Sequence, residues 1–111
     1  MNEVSGILFD IDGVLYSGGK AVQGASNALN LIADAGIPFR CLSNTTRSSS
    51  LTISQKLNDY GFFIPKEHII TPAVAVSKIL NEMEIKKCFF LITGDVTADF
   101  KNAGLISDEN N

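Results

Sequence analysis

Histidine is nearly missing from this chain. With a single residue, His68, among 111, histidine metal cages and catalytic triads are nearly excluded. Cysteine is scarce too. Cys41 and Cys88 both lie in apolar runs, which reads as two buried, reduced thiols in a cytoplasmic protein. No apolar run reaches the length of a membrane span, so no membrane partner is expected. Met1-Asn2-Glu3 lacks the basic start of a secretory signal. Charge of one sign is equally thin: the formal net charge of −3 argues against nucleic acid as a partner. Neither an internal repeat nor a low-complexity linker interrupts the sequence.

What is present suits one packed domain. Hydrophobic residues make up 45% and charged residues 19% of the chain, enough for a core and too apolar for disorder. Strand and helix patterns alternate. Residues 4–9 read as a buried strand. Residues 14–22 read as a small hairpin turning at Ser17-Gly18-Gly19. A helix carries Ala25, Ala28, Leu29 and Ile32 and stops at Gly36. A second strand over 38–42 leads through Ser43-Asn44 to serine caps at 48–50 and a helix bearing Ile53, Leu57 and Tyr60. Ile69-Ile70 is a short third strand, and Thr71-Pro72 opens a helix with a capping hydroxyl and proline at its first position. Val76, Ile79, Leu80 and Met83 are expected to form that helix's buried stripe. A fourth strand is expected over 88–92, then a last helix marked by Val96, Phe100 and Ala103 and ended by Gly104. The β-α-β-α rhythm predicts an α/β fold with a doubly wound, mostly parallel, Rossmann-like sheet.

The chemistry concentrates in Phe9-Asp10-Ile11-Asp12-Gly13-Val14. An apolar strand ends in two carboxylates one residue apart. Ligands of open α/β sheets sit beyond the carboxyl ends of strands. Two acids there repel each other unless a hard cation, or a division of labour between nucleophile and proton carrier, employs them. The plainer reading is one acid capping a turn and the other solvated. Ser43 ends the second strand, so it falls at the same sheet edge, where its hydroxyl, Asn44 and the following amides could donate to a phosphate. The alternative is a strand-end turn in which Ser43 and Asn44 bond their own backbone. Arg47 could hold an anion or be a solvated loop residue. Ser17-Gly18-Gly19-Lys20 fails as a phosphate loop: Val14 occupies the first glycine position and Ala21 replaces the required hydroxyl.

Together with Cys41-Leu42-Ser43-Asn44, the first motif resembles the haloacid dehalogenase (HAD)-like hydrolases, and within them the NagD-type branch. Residues 21–25, 43–48 and 69–73 extend the resemblance over nearly the whole chain. The resemblance implies an Mg²⁺-dependent phosphatase acting on a small phosphorylated substrate. Asp10 would be the nucleophile that forms an aspartyl phosphate. Asp12 would protonate the leaving oxygen and then activate water. The Asp10 carboxylate and the Asp12 carbonyl would bind the metal. Ser43 would bond the transferring phosphoryl group, and Asn44 would orient the site.

Measured against that pattern, residues 1–106 are expected to be the N-terminal part of a HAD-like core, with 14–22 as its flap and 107–111 as a frayed tail. A charge-balancing lysine, a later acidic cluster and a cap domain are missing. A weakly active or inactive fragment is therefore expected, and its open sheet edge would suit a homo-oligomer or a domain-swapped dimer. A lesser alternative makes Asp95 and Asp99 the acidic metal motif, with Lys66 or Lys78 as the lysine; the plainer view gives Asp95 to a helix N-terminus and places Asp99 in solvent. Competing functions are a receiver-like phospho-accepting signalling domain and a non-catalytic interaction module.

Overall fold

Alternating burial, rather than a fully buried run, shapes the first strand. The computed structural model describes residues 4–102 and 104–107; Ala103 and positions 108–111 of the expected tail lie outside them. Strand β1, Ile7–Asp10, starts three residues later than the apolar pattern suggests, because pairing begins where Ile7 N–H donates to the Pro38 carbonyl. Ile7 and Phe9 face inward, whereas Leu8 is 67% exposed. The flap is the two-residue pair β2, Tyr16–Ser17, and β3, Lys20–Ala21. Helix α1, Ala25–Asp34, leads to β4, Phe39–Leu42, and helix α2, Ser50–Asp59, leads to β5, Ile69–Ile70. These strands form a parallel sheet in the order β1-β4-β5.

Both crossovers step the same way across that sheet, so right-handed connections bring α1 and α2 to one face. There Leu29, Ile53 and Leu57 close over Cys41 and Ile69, and Ile11, Leu15, Phe62 and Ile64 complete the cluster. Burial pushes the Cys41 thiol up to about 11, so it stays protonated and inert. The free Cys88 is half-buried rather than buried. No helix among the described residues is long and apolar enough to cross a membrane.

Helix α3, Pro72–Glu82, starts as its sequence indicates: the Thr71 hydroxyl accepts from Val74 N–H at 3.1 Å, with proline in the first turn. Its buried stripe is different from the expected one. Val76, Ile79 and Met83 are exposed; Ala73 and Ser77 are buried, with Leu80 beside them. Small residues at 73 and 77 let α3 approach its partner closely, and the Ser77 hydroxyl is satisfied by donating to the Val74 carbonyl at 2.8 Å.

That partner belongs to a second, smaller unit. The expected strand over 88–92 shrinks to β6, Lys87–Cys88, which pairs in parallel with β7, Ile106–Ser107, and not with the main sheet. Leu91 is 85% exposed. Ser107, placed in the tail by its composition, is thus a strand residue. Between them runs α4, Thr97–Asn102. Val96, Phe100 and Leu105 form the unit's core with Ala73 of α3, and the Phe90 and Phe100 rings lie 5.0 Å apart.

The two units are fastened through the N-terminus of α2. Asp95 accepts from Ser49 N–H and from the Ser49 hydroxyl, both at 2.8 Å, and from the Thr52 hydroxyl. Asp99 accepts from Ser50 N–H at 3.0 Å and from its hydroxyl at 2.6 Å. Asp99 is 5% exposed, not in solvent. Exposed amides and the helix dipole at a helix start stabilise carboxylates there. The Thr52 hydroxyl, then the Ser49 hydroxyl and N–H, hold the Asp95 carboxyl below its ordinary value, against a smaller opposing effect of burial. A folded-state value below the unfolded one gives stability that is complete above the ordinary carboxylate range and lost as pH falls through the folded value. The urea midpoint of the parent should therefore exceed that of Asp95→Asn by a constant margin near neutrality, and the margin should shrink on acidification below about pH 4.

Candidate active site

Three parallel strands deliver their C-terminal ends to one edge. Asp10 is opposite Leu42 in the register, and Leu42 is opposite Ile70. The ladder continues one step further, with Ile11 N–H donating to the Leu42 carbonyl at 3.2 Å and Ser43 N–H to the Ile70 carbonyl at 3.0 Å. The residues that follow each strand therefore meet. A hollow of about 510 Å³ opens at this edge, lined by Asp10, Ser43, Asn44, Thr71 and Pro72 among others.

Asp10 is exposed, and one of its oxygens accepts from Ile11 N–H at 2.9 Å. No other carboxylate residue is among those lining the hollow. Asp12 does not line the hollow. It is exposed on the next turn and is bridged to Tyr16. That turn is closed by Gly13 N–H donating to the Tyr16 carbonyl and Leu15 N–H to the Ile11 carbonyl. The flap that follows is pinned to α2 by Tyr16, whose ring stacks on Tyr60 at 5.0 Å, and by Lys56, which donates to the Tyr16 hydroxyl at 3.1 Å. The hydrogen bond to Tyr16 raises the Lys56 ammonium above its ordinary value, with burial opposing.

Ser43 takes part in the strand-end turn and still faces the hollow. Its hydroxyl oxygen accepts from Thr45 N–H at 3.3 Å, and the Thr45 hydroxyl accepts from Arg47 N–H at 3.3 Å. A hydroxyl that accepts keeps its own proton for donation. Arg47 is exposed and does not line the hollow. The N-terminus of α3 is a feature that motif reading missed as part of the site. Thr71 and Pro72 border the hollow, bringing the positive end of an 11-residue helix to the Asp10 edge. The signal was available, since a capping Thr-Pro directly after a strand must fall at the same sheet edge.

The alternative acidic motif does not reach this place. Asp95 and Asp99 are engaged at α2, and Lys66 and Lys78 line a different hollow of about 610 Å³ together with Asp99. Asp95 and Asp99 accept amide and hydroxyl protons, which is the wrong environment for a cation. Among the described residues, no group of three or more His, Cys, Asp or Glu comes together as a metal site.

A family model described as haloacid dehalogenase-like hydrolase matches residues 7–106. The chain belongs to the HAD-like hydrolases. It is 31% identical over 106 residues to phospholysine phosphohistidine inorganic pyrophosphate phosphatase of Xenopus laevis, covering 91% of this chain and 39% of that protein. It is 30% identical over 108 residues to ribonucleotide monophosphatase NagD of Escherichia coli, covering 96% of this chain and 43% of that one. The solved structure of NagD from E. coli K-12 superimposes with a TM-score of 0.83 at 28% identity, over 97% of this chain and 43% of NagD. The chain thus spans about two-fifths of the length of these HAD-like relatives.

Gly13 is required here by its backbone alone. Its φ is +81°, and a Cβ built on it meets nothing within 4 Å. Gly13→Ala should therefore lose only the conformational cost of the left-handed region, about 1–2 kcal/mol, measured as a lower urea midpoint with an unchanged slope.

Proposed function

We propose that these residues carry the nucleophile and phosphate-binding half of a phosphatase site acting on small phosphorylated molecules. The observation that supports this most is the hollow that Asp10 shares with Ser43 and Asn44 at the strand ends of a HAD-like hydrolase. In this reading a carboxylate oxygen of Asp10 attacks phosphorus, the bond from phosphorus to the leaving oxygen breaks, and an acyl phosphate forms on Asp10. Asp12 gives its proton to the leaving oxygen. It then takes a proton from the water that attacks the acyl phosphate, which releases inorganic phosphate and restores Asp10. The Ser43 hydroxyl and Asn44 amide donate to the phosphoryl oxygens, and the N-terminus of α3 favours the anion at the same edge.

A magnesium ion would suit a site with the single exposed carboxylate of Asp10, because Mg²⁺ usually takes one or two carboxylates plus substrate phosphate and keeps several waters. The Asp10 carboxylate and the Asp12 carbonyl would hold it. When bound, the ion offsets the repulsion between an anionic substrate and Asp10. The charge-balancing lysine and the remaining acidic ligands belong, on this reading, to parts of the protein beyond this segment, so the segment alone is weakly active or inactive.

Incubation with acetyl phosphate and Mg²⁺, followed by mapping of the modified residue, tests the assignment. Label should appear on Asp10 and vanish in Asp10→Asn, while turnover of 4-nitrophenyl phosphate by the 111-residue chain stays near background. Label on another aspartate would move the reading to a receiver-like domain. No label would overturn it, and robust turnover would overturn the incompleteness of the site.

A further inference from the structure

The loop from 43 to 49 is anchored at both ends by different parts of the molecule. Its start is held by the main sheet, through Ser43 N–H to the Ile70 carbonyl. Its end is held by the second unit, 46 to 49 residues away in sequence, through Asp95 on Ser49 and Asp99 on Ser50. Between the anchors, the Ser43 and Thr45 hydroxyls tie the loop to itself, both at 3.3 Å. A separate contact presses on its middle. Gly94, at φ +72°, packs so tightly on the Arg47 backbone that a Cβ would overlap the Arg47 carbonyl oxygen. Gly94 and Asp95 thus meet this loop at Arg47 and Ser49, and Asp99 holds the helix start that follows it at Ser50.

Asp99 is nine-tenths buried or more, and its environment explains why an acid is retained there. It accepts from Ser50 N–H with both oxygens and from the Ser50 hydroxyl, so its charge is met at a helix start. An ordinary N-cap would need only Ser49, which already accepts from Thr52 N–H at 3.2 Å. The two carboxylates thus add to the cap from outside α2, and with it they attach the loop's far end to another body.

We propose that Asp95 and Asp99 are positioning residues: clamping α2 from the β6-α4-β7 unit, with Gly94 against Arg47, they hold the 43–49 loop in the shape that aims Ser43 and Asn44 at phosphate. The phosphate-binding part of this rests on the function proposed above; the clamp does not. Displacing the small unit would loosen the loop, so docking of that unit and phosphate affinity are coupled.

Backbone ¹⁵N relaxation on the full chain and on its Asp95→Ala/Asp99→Ala form tests the clamp without any ligand. Order parameters at 45–48 should fall from about 0.85 to below about 0.6, while Ile11 and Ser43, held by the ladder, stay unchanged. A merely structural cap would loosen α2 from Ser49 onward and spare 45–48, and that outcome overturns the proposal. Should the double variant fail to fold, Gly94→Ala keeps both carboxylates and forces the segment off Arg47; the same fall at 45–48 supports the clamp, and parent-like values overturn it. In the same samples, titration with inorganic phosphate in Mg²⁺ should show at least about tenfold weaker binding. A parent chain that binds no phosphate overturns the functional reading of Ser43, whereas the relaxation data decide the clamp by themselves.

Discussion

Two main-chain hydrogen bonds, Ile11 N–H to the Leu42 carbonyl and Ser43 N–H to the Ile70 carbonyl, hold together the edge on which the candidate chemistry depends. Parallel strands must all end on the same side, so residues far apart in the chain arrive together: Asp10, Ser43 and Thr71 line one hollow because β1, β4 and β5 share a register. The alternation of β1 makes that register strict. Ile7 and Phe9 face the helices, while Leu8 and Asp10 face outward. A slip of one residue would turn Asp10 into the apolar layer of Cys41, Leu57 and Ile69, where a carboxylate has no partner. The core thus selects the register, and the register selects the site.

The same edge gathers electrostatic help from its backbone. A carboxylate and a phosphate repel each other, yet the positive end of α3 borders the hollow and the Ser43 hydroxyl, which accepts from Thr45 N–H, keeps its own proton to donate. These donors are fixed by the fold before any ligand arrives, which removes the ordering cost that a flexible cluster of polar side chains would face. Asp12 stands apart from them, on a turn that Gly13 makes feasible and that the Tyr16–Tyr60 stack ties to α2. On the proposed reading that separation suits a proton carrier, which has to reach the leaving oxygen on the far side of phosphorus from the attacking group.

Much of this was legible locally. Caps and stops at Ser49, Thr71, Gly36 and Gly61 are short-range features, and the strands and helices they bound appear where their chemistry places them. The hydrophobic stripe of α3 was not legible, because two stripes have helical spacing there. Val76, Ile79 and Met83 are the more apolar set, but the helix packs through Ala73 and Ser77, whose small size admits α4. Likewise the run 88–92 has the composition of a buried strand, while its burial depends on a neighbour. β6 pairs with β7 alone, and Phe89 and Leu91 remain exposed.

Asp95 makes the sharpest comparison, since its surroundings in sequence mimic those of Asp10. Each acid follows an apolar run and has a glycine close by, and the spacing Asp95-x-x-x-Asp99 even supplies a second carboxylate. Local pattern cannot separate a phosphate-site acid from a helix-capping one, because both uses require a carboxylate at the end of an extended segment. The difference lies in what stands opposite. Asp10 ends a strand whose neighbour continues into Ser43 and whose next neighbour continues into a helix start, so donors surround an open volume. Asp95 follows a run whose ladder ends at Cys88, and Ser49 and Thr52 stand against it, their protons taken up by its oxygens. A carboxylate with its acceptors already satisfied has little left to offer a metal, and it is therefore the neighbour's side chains, not the acid's own motif, that leave one aspartate at an open hollow and tie the other to a helix start.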